Sequence, residues 1–254
     1  MLIVRSTLAL YTAAALDAAR ATLRSAWGFL LLVLLTPVLY LASMALSPLG
    51  MLGGLAVGLL TAACAGSYLA CIEDALGRQG GRSLSLANVQ ANLGRYTWDV
   101  IGVSFPIWIG QLVVGLVPLP LGLVYGLVVS VAFNAAPEMI GRFRGTGTEL
   151  LLASARWLRE NGPEWFIPQI LLLFPLALWR PGNAVSILAM FGPQFGFVNA
   201  GSILLGMAGP LTWLAGFGMV LFVHALMLFR AALYTRLGPG GRRQRLWRAR
   251  VGAS

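Results

Sequence analysis

Residues 27–72 read WGFLLLVLLTPVLYLASMALSPLGMLGGLAVGLLTAACAGSYLACI, without one Asp, Glu, Lys or Arg. Two apolar runs, 27–47 and 51–72, flank the turn Ser47-Pro48-Leu49-Gly50. A helix that crosses the hydrocarbon core of a bilayer needs about 20 mostly apolar residues. Both runs meet that length, so the stretch predicts a transmembrane helical hairpin. The second run is rich in small residues, among them Gly53, Gly54, Gly58, Ala62, Ala65 and Gly66. Small residues let helix backbones approach closely in lipid, where packing drives association.

The rest of the chain agrees. Of its 254 residues 58% are apolar and 10% charged, and the mean hydropathy is +0.81. A soluble domain carries about 25% charge, so disordered, disulfide-scaffold and soluble globular classes are excluded. Further apolar runs at 98–117, 119–136, 165–180 and 205–229 extend the reading to an all-α polytopic membrane bundle. It has about six transmembrane helices in three hairpins within a single membrane domain over 1–254. Val117-Pro118-Leu119-Pro120 makes the second turn. The fifth run is short and is broken at Arg180-Pro181-Gly182-Asn183. Residues 181–202, which contain Gly192, Pro193 and Gln194, read as re-entrant, as interfacial or as a continuation of the fifth run. Pro210 kinks the last run or sets its start.

All 18 basic residues are arginine. Seventeen of them fall in the N-terminal segment, the second-to-third and fourth-to-fifth connections and the C-terminal segment. Only Arg180 falls on the other side. By the positive-inside rule both termini are then cytoplasmic, and the expected place is a bacterial cytoplasmic (inner) membrane, multi-pass. The net charge of +10 reads as topology and anionic-lipid contact, with no nucleic-acid partner. Residues 236–254 form a basic tail holding Arg242, Arg243, Arg245, Arg248 and Arg250. Met1 to Arg24 does not read as a cleavable signal peptide, because its arginines recur and the apolar run comes late.

A threefold internal pattern accompanies the hairpins. A polar helix candidate that ends near a tryptophan precedes each one: Tyr11–Arg24 before Trp27, Ser83–Arg95 before Trp98, and Gly147–Arg159 before Trp165. Arg24, Arg95 and Arg159 beside these indoles read as headgroup-level anchors, a guanidinium near phosphates and a ring at the interface. The exits also match. Glu73-Asp74-Ala75-Leu76-Gly77-Arg78 resembles Pro137-Glu138-Met139-Ile140-Gly141-Arg142, while the third exit, Phe229-Arg230-Ala231, has no acid.

Chemistry-bearing residues are few. His224, the only histidine, lies in the last run, and Gln111 and Asn134 are the notable polar groups in other runs. Asn134 and Glu138 are four apart, on one helix face. These four form the candidate intramembrane polar site, because polar groups at membrane depth are functional or interhelical glue. Cys64 and Cys71 lie about 10 Å apart along one helix, too far for a disulfide. One histidine and two cysteines build no zinc site, and no nucleophile elbow or Walker motif occurs. No cofactor is expected.

Ala136-Pro137-Glu138, followed by Glu149 and Ser154, resembles a group of uncharacterised bacterial six-span membrane proteins. These are similar to the membrane domain attached to some glycerophosphodiester phosphodiesterases. The resemblance covers Asn134 to Pro168 and implies the membrane fold. With no phosphodiesterase domain present, it implies no enzymatic role. The expected function is a non-enzymatic accessory or scaffold subunit, or a lipid-interacting factor, partnered by anionic headgroups or a membrane protein. The alternative is a permease subunit paired with a separate ATPase.

Overall fold

A computed structural model describes residues 2–77, 86–116, 121–145, 147–179, 191–200 and 209–238. Among these residues there is no strand, and the fold is all-α. The helices are α1 (Leu2–Arg24), α2 (Ala26–Leu46), α3 (Met51–Leu76), α4 (Leu86–Ala91), α5 (Thr97–Gly115), α6 (Leu121–Ala132), α7 (Ala136–Met139), α8 (Gly147–Trp179) and α9 (Pro210–Leu237). The 3-10 turns Ser47–Leu49 and Gly196–Asn199 add to them. The first hairpin forms as expected: α2 and α3 pair across the Ser47–Gly50 turn.

Six spans in three hairpins is not what forms. Four helices are long and apolar enough to cross a membrane: Ala26–Leu49, Met51–Leu76, Thr97–Gly115 and Trp213–Leu237. This remains the architecture of a multi-pass membrane protein, with four such helices among the described residues. The expected fourth span, 119–136, fails because α6 has only 12 residues, about 18 Å of rise. Pro137 explains the stop. It has no N–H to donate, its ring clashes with the carbonyl four residues back, and it suits the first turn of a new helix. The chain therefore breaks after Ala132 and restarts as α7, with Pro137 in its first turn. The expected fifth span, 165–180, is the second part of α8, a single helix of 33 residues that also contains the third interfacial candidate. Its apolar part from Trp165 to Trp179 rises about 22 Å, short of the roughly 30 Å core. Pro163 lies inside this helix and does not break it, so the helix runs on without a boundary between Arg159 and Trp165.

The last helix also differs from its expected bounds, 205–229. It starts at Pro210 and runs past Phe229 to Leu237. Along this extension lies α1, which buries Ala14, Ala18 and Ala21. Three alanines on one helix face permit close backbone approach. Arg236 closes the contact on Asp17 at 2.8 Å. The first polar helix is thus docked on α9, and the second is short, α4, with 83–85 outside the described residues.

Two glycines set helix spacing. A Cβ on Gly66 of α3 would lie 2.7 Å from the Tyr96 carbonyl carbon and 2.8 Å from the Thr97 nitrogen. A Cβ on Gly147 would run into the Gly102 carbonyl of α5. Only hydrogen fits at these two crossings.

Within 181–202 the described residues, 191–200, are neither surface-lying nor helical continuation of α8. Phe191, Phe195, Phe197 and Val198 are buried, and Thr36 of α2 donates to the Val198 carbonyl at 3.0 Å. Irregular backbone is tolerated at such depth when protein covers it. Phe195 has φ 52°, an uncommon left-handed conformation for an aromatic residue.

Candidate functional site

Two polar clusters lie inside the bundle, both built on α9. The first centres on Arg230, whose exposure is 0%. The α6–α7 break supplies Asn134 and Glu138, and α8 supplies Trp165 and Gln169. Arg230 Nε donates to Glu138 Oε1 at 2.6 Å, and Nη2 donates to Glu138 Oε2 at 3.0 Å. Nη2 also donates to the Asn134 carbonyl at 2.7 Å. Nη1 donates to Asn134 Oδ1 at 3.0 Å and to Gln169 Oε1 at 2.7 Å. A guanidinium has five N–H donors, and all five are used. The ring of Trp165 lies 4.9 Å from the guanidinium carbon, within cation–π range, and its Nε1 donates to Asn134 Oδ1 at 3.0 Å.

This geometry repays the desolvation of two charges as far as geometry can: a two-point ion pair with every remaining donor bonded. Chemically it is a closed, neutral unit that ties α6–α7, α8 and α9 together.

The second cluster is a chain of hydroxyls around His224, which is fully buried. Nε2 lies 2.8 Å from Ser25 Oγ and Nδ1 lies 2.8 Å from Tyr68 Oη. One tautomer gives every hydrogen an acceptor. Tyr68 donates to Nδ1, Nε2–H donates to Ser25, and Ser25 donates to the Thr22 carbonyl at 3.4 Å. Through Ser25 and Tyr68 the imidazole links the α1–α2 junction, α3 and α9. Phe197 packs 5.3 Å from the Tyr68 ring and Phe191 lies 5.7 Å from the Arg230 guanidinium. The buried segment 191–200 therefore covers both clusters.

The structure brings Asn134 and Glu138 together on Arg230, but not on one helix face, because Asn134 lies in the turn between α6 and α7 and Glu138 in α7. It places His224 six residues along α9 in the other cluster and leaves Gln111 exposed on α5. The four do not share one site. Arg230, Trp165, Gln169, Ser25 and Tyr68 are additions. Two signals pointed to them. Gln169 is the polar residue inside the apolar 165–179 run, and Arg230 holds the third-exit position that Asp74 and Glu138 hold at the other two.

The anchors also separate. Arg24 and Arg95 are exposed, beside Trp27 (40% exposed) and Trp98 (79%). Arg159 is exposed, but its tryptophan, Trp165, is buried on Arg230 and is no interfacial anchor. Arg95 pairs with Asp74 at 3.5 Å. Beside it the buried phenol of Tyr96 donates to Glu73. Burial, and then the hydrogen bond and charge of Glu73, push the Tyr96 phenol up to about 12. Arg242, Arg243, Arg245, Arg248 and Arg250 lie outside the described residues. Among the described residues no group of three His, Cys, Asp or Glu side chains is placed to hold a metal ion. Cys64 and Cys71 are buried free thiols. Compared with known proteins, the chain matches no family model, no curated protein and no solved structure.

Proposed function

We propose that this chain is a non-enzymatic membrane protein, an accessory subunit or lipid-interacting factor, that works through its headgroup-level surface. The observation that carries this reading is the closure of Arg230. Its charge is matched by Glu138 and all five N–H groups are bonded inside the protein. Arg230, Glu138, Asn134 and Gln169 are thereby committed to holding helices together. Two of the exposed arginines, Arg24 and Arg95, precede the exposed indoles of Trp27 and Trp98 by three residues. The proposed ligand is anionic lipid, with both termini and the arginine tail on the cytoplasmic face, where such lipid concentrates.

The test is lipid retention by the full chain purified in mild detergent and loaded with phosphatidylglycerol. One variant carries Arg24→Gln and Arg95→Gln. A second carries glutamine at 242, 243, 245, 248 and 250. Each arginine near an anionic surface contributes about 1 kcal/mol, so retention falls severalfold in both while membrane insertion is unchanged. Retention equal to wild type in both variants overturns the reading.

A further inference from the structure

At the end of the bundle away from the Ser47–Gly50 turn, a small, partly open cleft lies between α3, α7 and α9. Its floor is apolar, with Leu69, Ile72 and Met227, and its charged lining is Glu73, Glu138 and Arg142. Glu138 adds no net charge, because Arg230 matches it. One acid and one base remain, and neighbours hold both in place. Glu73 accepts from Tyr96 through Oε2. Arg142 donates through Nη1 to Thr235 Oγ1 at 2.7 Å, with its guanidinium 5.5 Å from the Tyr234 ring. That bond engages one of the five donors of Arg142. A cleft with a fixed carboxylate, a fixed guanidinium and no net charge complements a ligand carrying an ammonium and a phosphate. The apolar floor between two membrane-length helices, α3 and α9, calls for a ligand that enters from the lipid phase.

We propose that this cleft seats the headgroup of an aminophospholipid, its ammonium on Glu73 and its phosphate on Arg142. A primary ammonium donates hydrogen bonds to the carboxylate, whereas a quaternary choline has no N–H to donate. This inference does not rest on the anionic-lipid reading above, since its ligand is zwitterionic and its residues are different ones.

The experiment incubates the full chain in mild detergent with equal amounts of phosphatidylethanolamine, phosphatidylcholine and phosphatidylglycerol, and weighs the bound lipids by native mass spectrometry. The folded wild type retains ethanolamine over choline lipid about tenfold, the scale of one charge-assisted hydrogen bond. Glu73→Gln brings that ratio to about one, and Arg142→Gln, at an exposed position, lowers retention of both lipids. Tyr96→Phe keeps the Glu73 charge and keeps the ratio. Where Glu73→Gln does not fold, the wild type is tested with N-methyl and N,N-dimethyl ethanolamine lipids, whose retention declines stepwise. A ratio near one on the wild type, no decline along the methyl series, or a preference that survives both variants overturns the proposal. So does displacement of the lipid by millimolar free phosphoethanolamine, which would make the seat one for a soluble ligand. The ethanolamine-to-choline ratio reads this site alone, and phosphatidylglycerol retention in the Arg24, Arg95 and tail variants reads the other.

Discussion

Glu138 and Arg230, 92 residues apart in sequence, meet in a two-point ion pair that is almost wholly closed to solvent. Breaking a buried pair by removing one partner costs about 3–5 kcal/mol, because the other charge is left uncompensated. Arg230→Met therefore destabilises the detergent-solubilised protein by about that amount in a denaturant titration. Adding Glu138→Gln removes the orphaned charge and recovers part of the loss. A single variant that unfolds with the wild type would show that the pair holds nothing together.

Helix spacing at the α5–α8 crossing depends on the absence of a side chain at Gly147. Gly147→Ala drives a methyl group into the Gly102 carbonyl, and overpacking of this kind costs about 1–3 kcal/mol. Gly58→Ala is the control, because its Cβ meets nothing within 4 Å. It is neutral or stabilises by up to about 1 kcal/mol, as alanine does in a helix interior. Thermal unfolding of the two variants side by side checks the contrast.

Tyr96 titrates late. Its phenol is pushed up to about 12 from an ordinary value of 10.0 by burial and by Glu73. The folded state thus favours the neutral form. This stabilisation is fully present below pH 10 and is lost as the pH rises through about 12. In a 295 nm absorbance titration, the difference between wild type and Tyr96→Phe has its midpoint near pH 12. A midpoint near 10 would mean that Tyr96 is open to water.

The tryptophans divide by burial. Trp98 is 79% exposed and Trp165 is 0% exposed. In variants that keep one tryptophan each, brominated lipid quenches the fluorescence of Trp98 and leaves that of Trp165 largely intact. Equal quenching would place Trp165 at the lipid surface and dissolve the Arg230 cluster.

The first hairpin was legible because local information suffices for it. Two runs of the right length and a Ser-Pro-Leu-Gly turn lie within 27–72, and nothing distant decides them. Span number was not legible. Pro137 ends α6 early, while Pro163 leaves α8 unbroken, and composition alone does not separate a proline that starts a helix from one carried inside it. At the site, the spacing of Asn134 and Glu138 suggested one helix face, but the helix breaks between them at 133–135, and their partner was not legible. Arg230 stood at the head of a basic stretch, where an arginine normally marks the exit from the membrane.

Residue chemistry by itself determined that the chain is helical, lipid-facing over much of its length, and short of metal-binding or nucleophile motifs. Those properties follow from hydropathy and residue type, which act locally and add along the chain. Tertiary structure decided which arginine is buried, which tryptophan faces lipid, and how His224 and Glu138 come to sit in different clusters. A buried charge is tolerable only where its partner stands, and partners from α6–α7, α8 and α9 are assembled by packing between distant segments. No window of the sequence contains that packing.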